Sequence, residues 1–190
     1  MIPPRMIVTE RLDLIPATPS TTRAALAGND ALAAALGVGV PPSWPPQFLD
    51  PPALEFTLAR LADGPQHAGW WLHFVVLRDA APGRLLIGSA GYVGPPSEDG
   101  VVEVGYGIVA DRQRRGYASE AVQGMVANAF ASPAVRKIVA HTLPELIPSI
   151  GVLEKCGFAF VGPGAESGTI RYELPRGDLD RSDSRGSLKR

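Results

Sequence analysis

Residues 101–121 read Val-Val-Glu-Val-Gly-Tyr-Gly-Ile-Val-Ala-Asp-Arg-Gln-Arg-Arg-Gly-Tyr-Ala-Ser-Glu-Ala. The first nine residues are rich in β-branched side chains and predict a strand, whereas the residues after Gly116 predict a helix. Between them lies a basic turn, Asp111–Arg115. A helix N-terminus presents unpaired backbone N–H groups and a positive partial charge, and glycine there lets a phosphate approach closely. The segment therefore predicts a diphosphate site, with a solvated basic turn as the alternative.

Two other phosphate-binding sequences are excluded. The chain has no Gly-x-x-x-x-Gly-Lys-Ser/Thr segment, so it has no P-loop. Gly105-x-Gly107 has Ala110 where a dinucleotide fingerprint has its third glycine, and polar turn residues follow it instead of a helix. Glycines within a strand indicate a bulge or the close approach of another group.

Four segments, in order along the chain, resemble one known family. Gln113–Ala118 is similar to the Gln/Arg-x-x-Gly-x-Gly/Ala signature of the GNAT N-acetyltransferase superfamily. Thr9–Leu14, Glu103–Gly107 and Val152–Phe158 resemble the opening strand, the fourth strand and the closing signature of its RimJ/RimL-like branch, the ribosomal-protein-alanine acetyltransferases. The resemblance covers roughly residues 7–174.

The resemblance implies an α/β (α+β) fold in a single domain over residues 1–175. We expect a mixed, mostly antiparallel twisted sheet of about seven strands with a central splay, flanked by about four helices. Hydrophobic periodicity and turn residues along the chain predict the same elements, among them a first strand over 7–15, a helix over 21–36 and a helix over 149–156.

The resemblance also implies acetyl-CoA as the co-substrate. Backbone groups of Ile108, Val109 and Ala110 would face its pantetheine arm along the fourth strand. The diphosphate would lie at the following helix N-terminus, held by Gln113, Arg114, Arg115, Gly116, Tyr117 and Ala118. No metal is expected, because His67, His73 and His141 lack metal-ligand spacing, and we interpret these histidines as structural.

Acetyl transfer to an amine needs a proton acceptor for the amine and a proton donor for the departing thiolate. Glu103 lies on the strand that would line the cofactor, and we predict that it is the general base; a salt bridge on a surface strand is the alternative. Leu153 stands where many members have a tyrosine general acid, and Leu146 where the family has a cofactor-contacting asparagine. The resemblance to the RimL-like branch implies that Ser149 is a proton donor or a partner for the thiolate, although it is equally well placed to cap a helix.

The segment Pro41–Pro52 holds six prolines and predicts a stiff, extended loop. In RimL-like proteins the corresponding region helps to form the acceptor pocket, so we predict that Trp44 and Phe48 line such a pocket. The acceptor itself cannot be read from the sequence: a protein N-terminus and a small-molecule amine both remain open.

Composition limits the partners. With 45% hydrophobic residues and a net charge of −1, the 190-residue chain lacks the basic surface of a general nucleic-acid binder. Its lone Cys156 is typical of a protein in a reducing cytoplasm. No signal peptide is indicated. No membrane helix is indicated either, because prolines interrupt the uncharged stretch 31–49. A homodimer through an edge strand remains open. The charged segment 176–190 is expected to be disordered.

Three functions remain at this point. The first is a cytoplasmic, acetyl-CoA-dependent N-acetyltransferase that acts by direct transfer. The second is a catalytically weak or inactive acetyl-CoA-binding regulatory module of the same fold, which Leu146 and Leu153 would favour. The third is a protein that binds another small phosphate ligand at the basic turn.

Overall fold

The computed structural model of the chain describes residues 5–64, 69–81 and 83–178. The strands are β1 (Ile7–Val8), β2 (Leu12–Pro16), β3 (Leu72–Leu77), β4 (Leu85–Tyr92), β5 (Val101–Ile108), β6 (Lys137–Thr142), β7 (Ala159–Pro163) and β8 (Ile170–Pro175). The helices are α1 (Pro19–Ala27), α2 (Asn29–Leu36), α3 (Pro51–Asp63), α4 (Tyr117–Ala131) and α5 (Ile147–Lys155).

One eight-stranded sheet runs in the order β1-β2-β3-β4-β5-β6-β8-β7. Among the described strands only β5 and β6 pair in parallel, and α4 connects them because a parallel pair needs a crossover. The predicted fold class, a mixed and mostly antiparallel sheet with helices, is confirmed. The strand and helix counts are each one higher than expected.

The sheet splits between β5 and β6. Their pairing covers three residue pairs and ends at Glu103, opposite Val139. Beyond that point, residues 104–108 of β5 pair with β4, and residues 140–142 of β6 pair with β8. The two strands therefore diverge, which confirms the expected central splay and leaves one edge of β5 free to bind a ligand.

Two predicted elements are each divided in two. The strand over 7–15 is broken by the turn in which the Thr9 N–H donates to the Leu12 carbonyl, so β1 folds back on β2. The helix over 21–36 is interrupted at Gly28, whose φ of 123° ends α1 and precedes α2. α1 also begins earlier than expected, because Thr18 caps it and Pro19 suits its first turn.

The proline-rich segment is shorter as a loop than predicted. α3 begins at Pro51, with the Asp50 carboxylate accepting from the Ala53 N–H, because proline is tolerated in the first turn of a helix. The loop therefore ends at Asp50. Trp44 is only 7% exposed and packs on Phe74, with the ring centroids 6.0 Å apart, so this loop contributes to the core.

The C-terminal segment is ordered further than expected. Arg176–Asp178 forms a 3₁₀ turn, where disorder had been predicted. The Arg176 guanidinium donates to the carbonyl oxygens of Phe130 and Val135 at 2.7 and 2.8 Å, which satisfies a carbonyl at the C-terminal end of α4. The rest of the predicted tail, residues 179–190, lies outside the described residues.

Within the described ranges, no helix combines the length and apolar character that crossing a membrane requires.

Candidate active site

A cavity of about 1360 Å³ occupies the split between β5 and β6. Its walls come from β5, β6, the turn before α4, the start of α5 and the proline-rich loop. Successive residues of β5 face opposite sides of the sheet. Glu103, Gly105 and Gly107 face one side, and Val104, Tyr106 and Ile108 face the other. Two chemically different surfaces thus meet at the opening.

One end of the cavity is the N-terminus of α4. Gly116 precedes the helix with φ 82° and ψ 0°, and among the described residues no side chain caps the first turn. Arg112 and Arg114 line the same end. The Arg112 Nε is buried, lies 3.4 Å from the Asp111 carboxylate and makes no hydrogen bond in the described part of the chain. Free N–H groups, a glycine and two guanidinium groups together form an anion-binding surface.

Six of the residues predicted to hold the cofactor line the cavity: Ile108, Gln113, Arg114, Gly116, Tyr117 and Ala118. Val109, Ala110 and Arg115 are not among the described residues that line it. Val109 is a correction, because its side chain is buried and its N–H donates to the Ile87 carbonyl at 2.9 Å. A hydrogen bond holds the Gln113 side chain in place, because its amide nitrogen donates to the Ile108 carbonyl at 2.8 Å.

Arg11 braces this end of the cavity. Its Nε lies 2.6 Å from the Glu120 carboxylate, its Nη1 donates to the Arg115 carbonyl at 3.1 Å, and its guanidinium lies 4.6 Å from the Tyr117 ring centroid. Thr9 also donates to Glu120, at 2.6 Å. Burial would raise the pKa of Glu120, but hydrogen bonds from Thr9 and Arg11 outweigh it and lower the pKa. No signal in the sequence around Arg11 indicates that it supports the N-terminus of α4.

On the glycine side of β5, Glu103 is paired with a histidine. Glu103 Oε1 lies 2.9 Å from His141 Nδ1, and both residues line the cavity. The Glu103 side chain is 36% exposed, whereas that of His141 is 16% exposed. His141 had been interpreted as structural, and the structure instead places it beside the predicted base. Only its position on the strand after α4 could have drawn attention to it.

On the opposite side of β5, a half-buried phenol, that of Tyr106, contacts Ser149. The Tyr106 hydroxyl donates to the Ser149 carbonyl at 2.9 Å and lies 3.0 Å from its Oγ. Burial raises the pKa of Tyr106 to about 12. Ser149 lies within α5, whose N-cap is Leu146, so the alternative of a capping serine is wrong. α5 starts earlier because Pro148 suits its first turn.

α5 has Leu153 where the resemblance implies a tyrosine, and Tyr106 on β5 brings a phenol against this helix. Leu153 is 1% exposed and belongs to the core. Tyr106 reaches the same helix from β5, a contact between residues 43 positions apart in sequence. Within the sequence, Tyr106 stands out only as part of the strand motif, because no neighbouring residue indicates its contact with Ser149.

The proline-rich loop lies against the glycine side of β5. A Cβ on Gly107 would lie 3.2 Å from a side-chain atom of Pro46, so glycine permits this packing. Phe48 is 65% exposed and lines the cavity, and its contact with an acceptor stays a prediction. Trp44 is a correction: it is buried and is not among the described lining residues, because its indole fills the core instead.

Three further exposed apolar side chains, Phe56, Val93 and Ile147, line the cavity together with Phe48. We call these four residues the apolar rim. Among the described residues, no group of three or more His, Cys, Asp or Glu side chains is arranged to hold a metal ion.

Comparison with known proteins places the chain in a family. The model of the acetyltransferase (GNAT) domain matches residues 11–159. YjdG, an uncharacterized N-acetyltransferase of Bacillus subtilis, is 32% identical over 81 residues, which make up 43% of this chain and 48% of that protein. The chain spans about half the length of the curated relatives it matches.

Solved structures share the fold at low identity. Mycobacterium smegmatis RimJ in complex with CoA-disulfide has a TM-score of 0.61 at 19% identity and covers 96% of this chain and 95% of its own. Ribosomal-protein-S5-alanine acetyltransferase from Vibrio fischeri has a TM-score of 0.62 at 18% identity, with coverages of 92% and 98%. Such identities do not assign a branch. The chain belongs to the GNAT acetyltransferase family.

Proposed function

We propose that the protein is an acetyl-CoA-dependent N-acetyltransferase that transfers the acetyl group directly to a primary amine. The observation that carries this proposal is the split between β5 and β6, which opens beside the uncapped N-terminus of α4. A thioester with a diphosphate at one end fits this arrangement, since the anion would meet free N–H groups while the acyl end lies between the two strands.

The residues around the split match the chemistry of acetyl-CoA. The first-turn N–H groups of α4 and the side chains of Arg112 and Arg114 would hold the diphosphate, and the edge of residues 104–107 that pairs with no described strand would bond the amides of the pantetheine arm. The M. smegmatis RimJ neighbour, solved with CoA-disulfide, supports the assignment. Membership of the RimJ/RimL-like branch is part of this proposal.

In the proposed reaction, Glu103 accepts a proton from the acceptor amine, directly or through water. The amine nitrogen then bonds to the acyl carbon as the C–S bond breaks. Ser149 is the proposed donor to the departing thiolate, and Tyr106 holds its hydroxyl in place. With its pKa raised to about 12, Tyr106 stays protonated at neutral pH and keeps its hydrogen bond to the Ser149 carbonyl. Solvent returns the proton that Ser149 gives up, and Glu103 releases its own proton to solvent.

The apolar rim favours acceptors that carry apolar groups beside the amine. Glu103 and Glu166 are the only carboxylates among the described residues that line the cavity, which is few for a polycation. A protein N-terminus with a small apolar side chain and a small apolar amine both meet this description.

A homodimer is also proposed: β7 is an edge strand, and Phe160 and Val161 on it are exposed.

The alternative is a catalytically inactive acetyl-CoA-binding module, which Leu146 and Leu153 favour. Titration calorimetry with acetyl-CoA, followed by thiol release in the presence of an amine panel, distinguishes the two. Binding with amine-dependent thiol release is expected. Binding without release from any amine would favour the module, and no binding at millimolar ligand would contradict both functions.

A further inference from the structure

The contact between Glu103 and His141 bridges the split in the sheet. Glu103 is the last β5 residue that pairs with β6, and its backbone partner is Val139. His141 lies two residues further along β6, where that strand pairs only with β8, opposite Arg171. The 2.9 Å contact between Nδ1 and Oε1 is therefore a side-chain link across the point where the two strands separate.

The direction of this hydrogen bond follows from the chemistry of the two groups. An ionised carboxylate has no hydrogen to give, so Nδ1 must carry the proton and donate it to Oε1. In the neutral ring, Nε2 then carries a lone pair. Nε2 is buried and has no partner within the described ranges of the chain.

Access separates the roles of the two residues. The Glu103 carboxylate is the more exposed group, while the solvent-shielded Nε2 cannot meet an incoming amine. The imidazole is covered by the β7–β8 turn: a Cβ on Gly164 would lie 2.9 Å from His141 Cδ2. An acceptor that enters the cavity can therefore reach the carboxylate, but not the free nitrogen of the ring.

From these contacts we propose that His141 is a positioning residue, which acts through Glu103 and holds its carboxylate at the mouth of the split. The inference rests on the proposed acetyltransferase function. A glutamate side chain has three rotatable bonds, and fixing Oε1 leaves Oε2 aimed at one place.

Two amide substitutions test the proposal as a matched pair. The amide nitrogen of asparagine lies close to the position of Nδ1, and that of glutamine lies closer to the position of Nε2. His141→Asn should therefore keep the bond to Glu103, and His141→Gln should lose it. We expect kcat/KM for the amine within about 3-fold of wild type for the first and lower by about 10- to 100-fold for the second.

A double-mutant cycle with Glu103→Gln asks whether His141 acts through Glu103. Glu103→Gln alone should lower kcat/KM by about 100-fold or more, and adding His141→Gln should change it little further. The KM for acetyl-CoA and the melting temperature, measured for each variant, should stay near the wild-type values.

Four results would overturn the proposal. If His141→Asn is as impaired as His141→Gln, the Nδ1 donor is not what matters. If the losses of the two single variants multiply in the double variant, His141 does not act through Glu103. If wild type releases no thiol with any amine of the panel, the proposed function fails, and this inference fails with it. If wild type is active and both His141 variants keep its activity, the positioning role alone is overturned.

Discussion

The two ends of the cavity are built differently. The anion end is formed by one continuous segment, residues 112–119, and the Arg11 side chain braces it. The acceptor end collects side chains from the proline-rich loop, α3, β4 and the start of α5, and the four residues of the apolar rim among them are exposed. A preorganised end suits a ligand that never varies, whereas an exposed apolar end can change its selectivity without disturbing the fold.

The largest effect should come from a residue that supports the acceptor end without lining it. Trp44→Ala removes a buried indole that packs on Phe74, and should lower the free energy of unfolding by about 3–5 kcal/mol. Urea denaturation measures this loss. Because Trp44 does not line the cavity, the amine selectivity of the folded fraction should be unchanged, and a shift in selectivity at full stability would contradict its place in the core.

At the anion end, Gly116→Ala should weaken acetyl-CoA binding. The residue has φ 82°, a conformation that costs a non-glycine residue about 1–3 kcal/mol, and it precedes the helix that meets the diphosphate. We expect the Kd measured by calorimetry to rise about 10- to 100-fold.

Gly37→Ala is the matched control for this substitution. Its φ of 65° brings similar strain, but Gly37 is not among the described residues that line the cavity. It should lower stability and leave the Kd for acetyl-CoA unchanged. Equal losses of affinity in both variants would mean that Gly116 acts through general destabilisation.

Removing the Glu120 charge, which holds Thr9 and Arg11 at the anion end, should have a smaller, pH-dependent effect on the free energy of unfolding. Glu120→Gln weakens bonds from Thr9 and Arg11, and should cost about 1–2 kcal/mol of unfolding free energy at neutral pH. Since the folded-state pKa of Glu120 is lowered, its contribution is complete above the unfolded pKa, about 4.3, and is lost as pH falls through the lower, folded-state pKa.

Urea denaturation of wild type and Glu120→Gln from pH 7 to pH 3 measures this difference, which should shrink toward the acid end. Asp63→Asn breaks the exposed pair with Arg60 and is the control, because such pairs contribute about 0–1 kcal/mol. A wild-type advantage over Glu120→Gln that stays constant down to pH 3 would contradict the assigned role of the carboxylate.

The smallest effect is expected at the apolar rim. Phe48→Ala should raise the KM for an apolar amine by about 3- to 10-fold, because part of the ring's apolar surface no longer covers the acceptor. Stability and the Kd for acetyl-CoA should not change. Phe160→Ala, which removes a similarly exposed ring from β7, should leave all three quantities as they are, and equal effects of both variants would remove Phe48 from the acceptor site.

Features that depend on a few neighbouring residues could be predicted from the sequence. The turn before α4 and the glycine at its start follow from local chemistry and from motifs within single segments. The strand pattern and the resemblance to a family together predicted the split sheet. Helix starts were misplaced by about two residues at α3 and α5, because the prolines in their first turns were interpreted as loop residues.

Contacts between distant segments could not be predicted. Arg11 and Glu120 are 109 residues apart, and Glu103 and His141 are 38 apart. No periodicity relates such pairs, because the order of strands in the sheet brings them together. The burial of Trp44 has the same origin, since a tryptophan in a proline-rich loop suits a pocket wall and a core equally well until the loop has packed.

A crystal structure with acetyl-CoA tests the central proposal most directly, namely that the split between β5 and β6 is the site of acetyl transfer. The proposal predicts the diphosphate on the first-turn N–H groups of α4, the pantetheine arm along residues 104–108, and the thioester between Glu103 and Tyr106. A cofactor bound outside the split, or a thioester beyond the reach of both side chains, would contradict it.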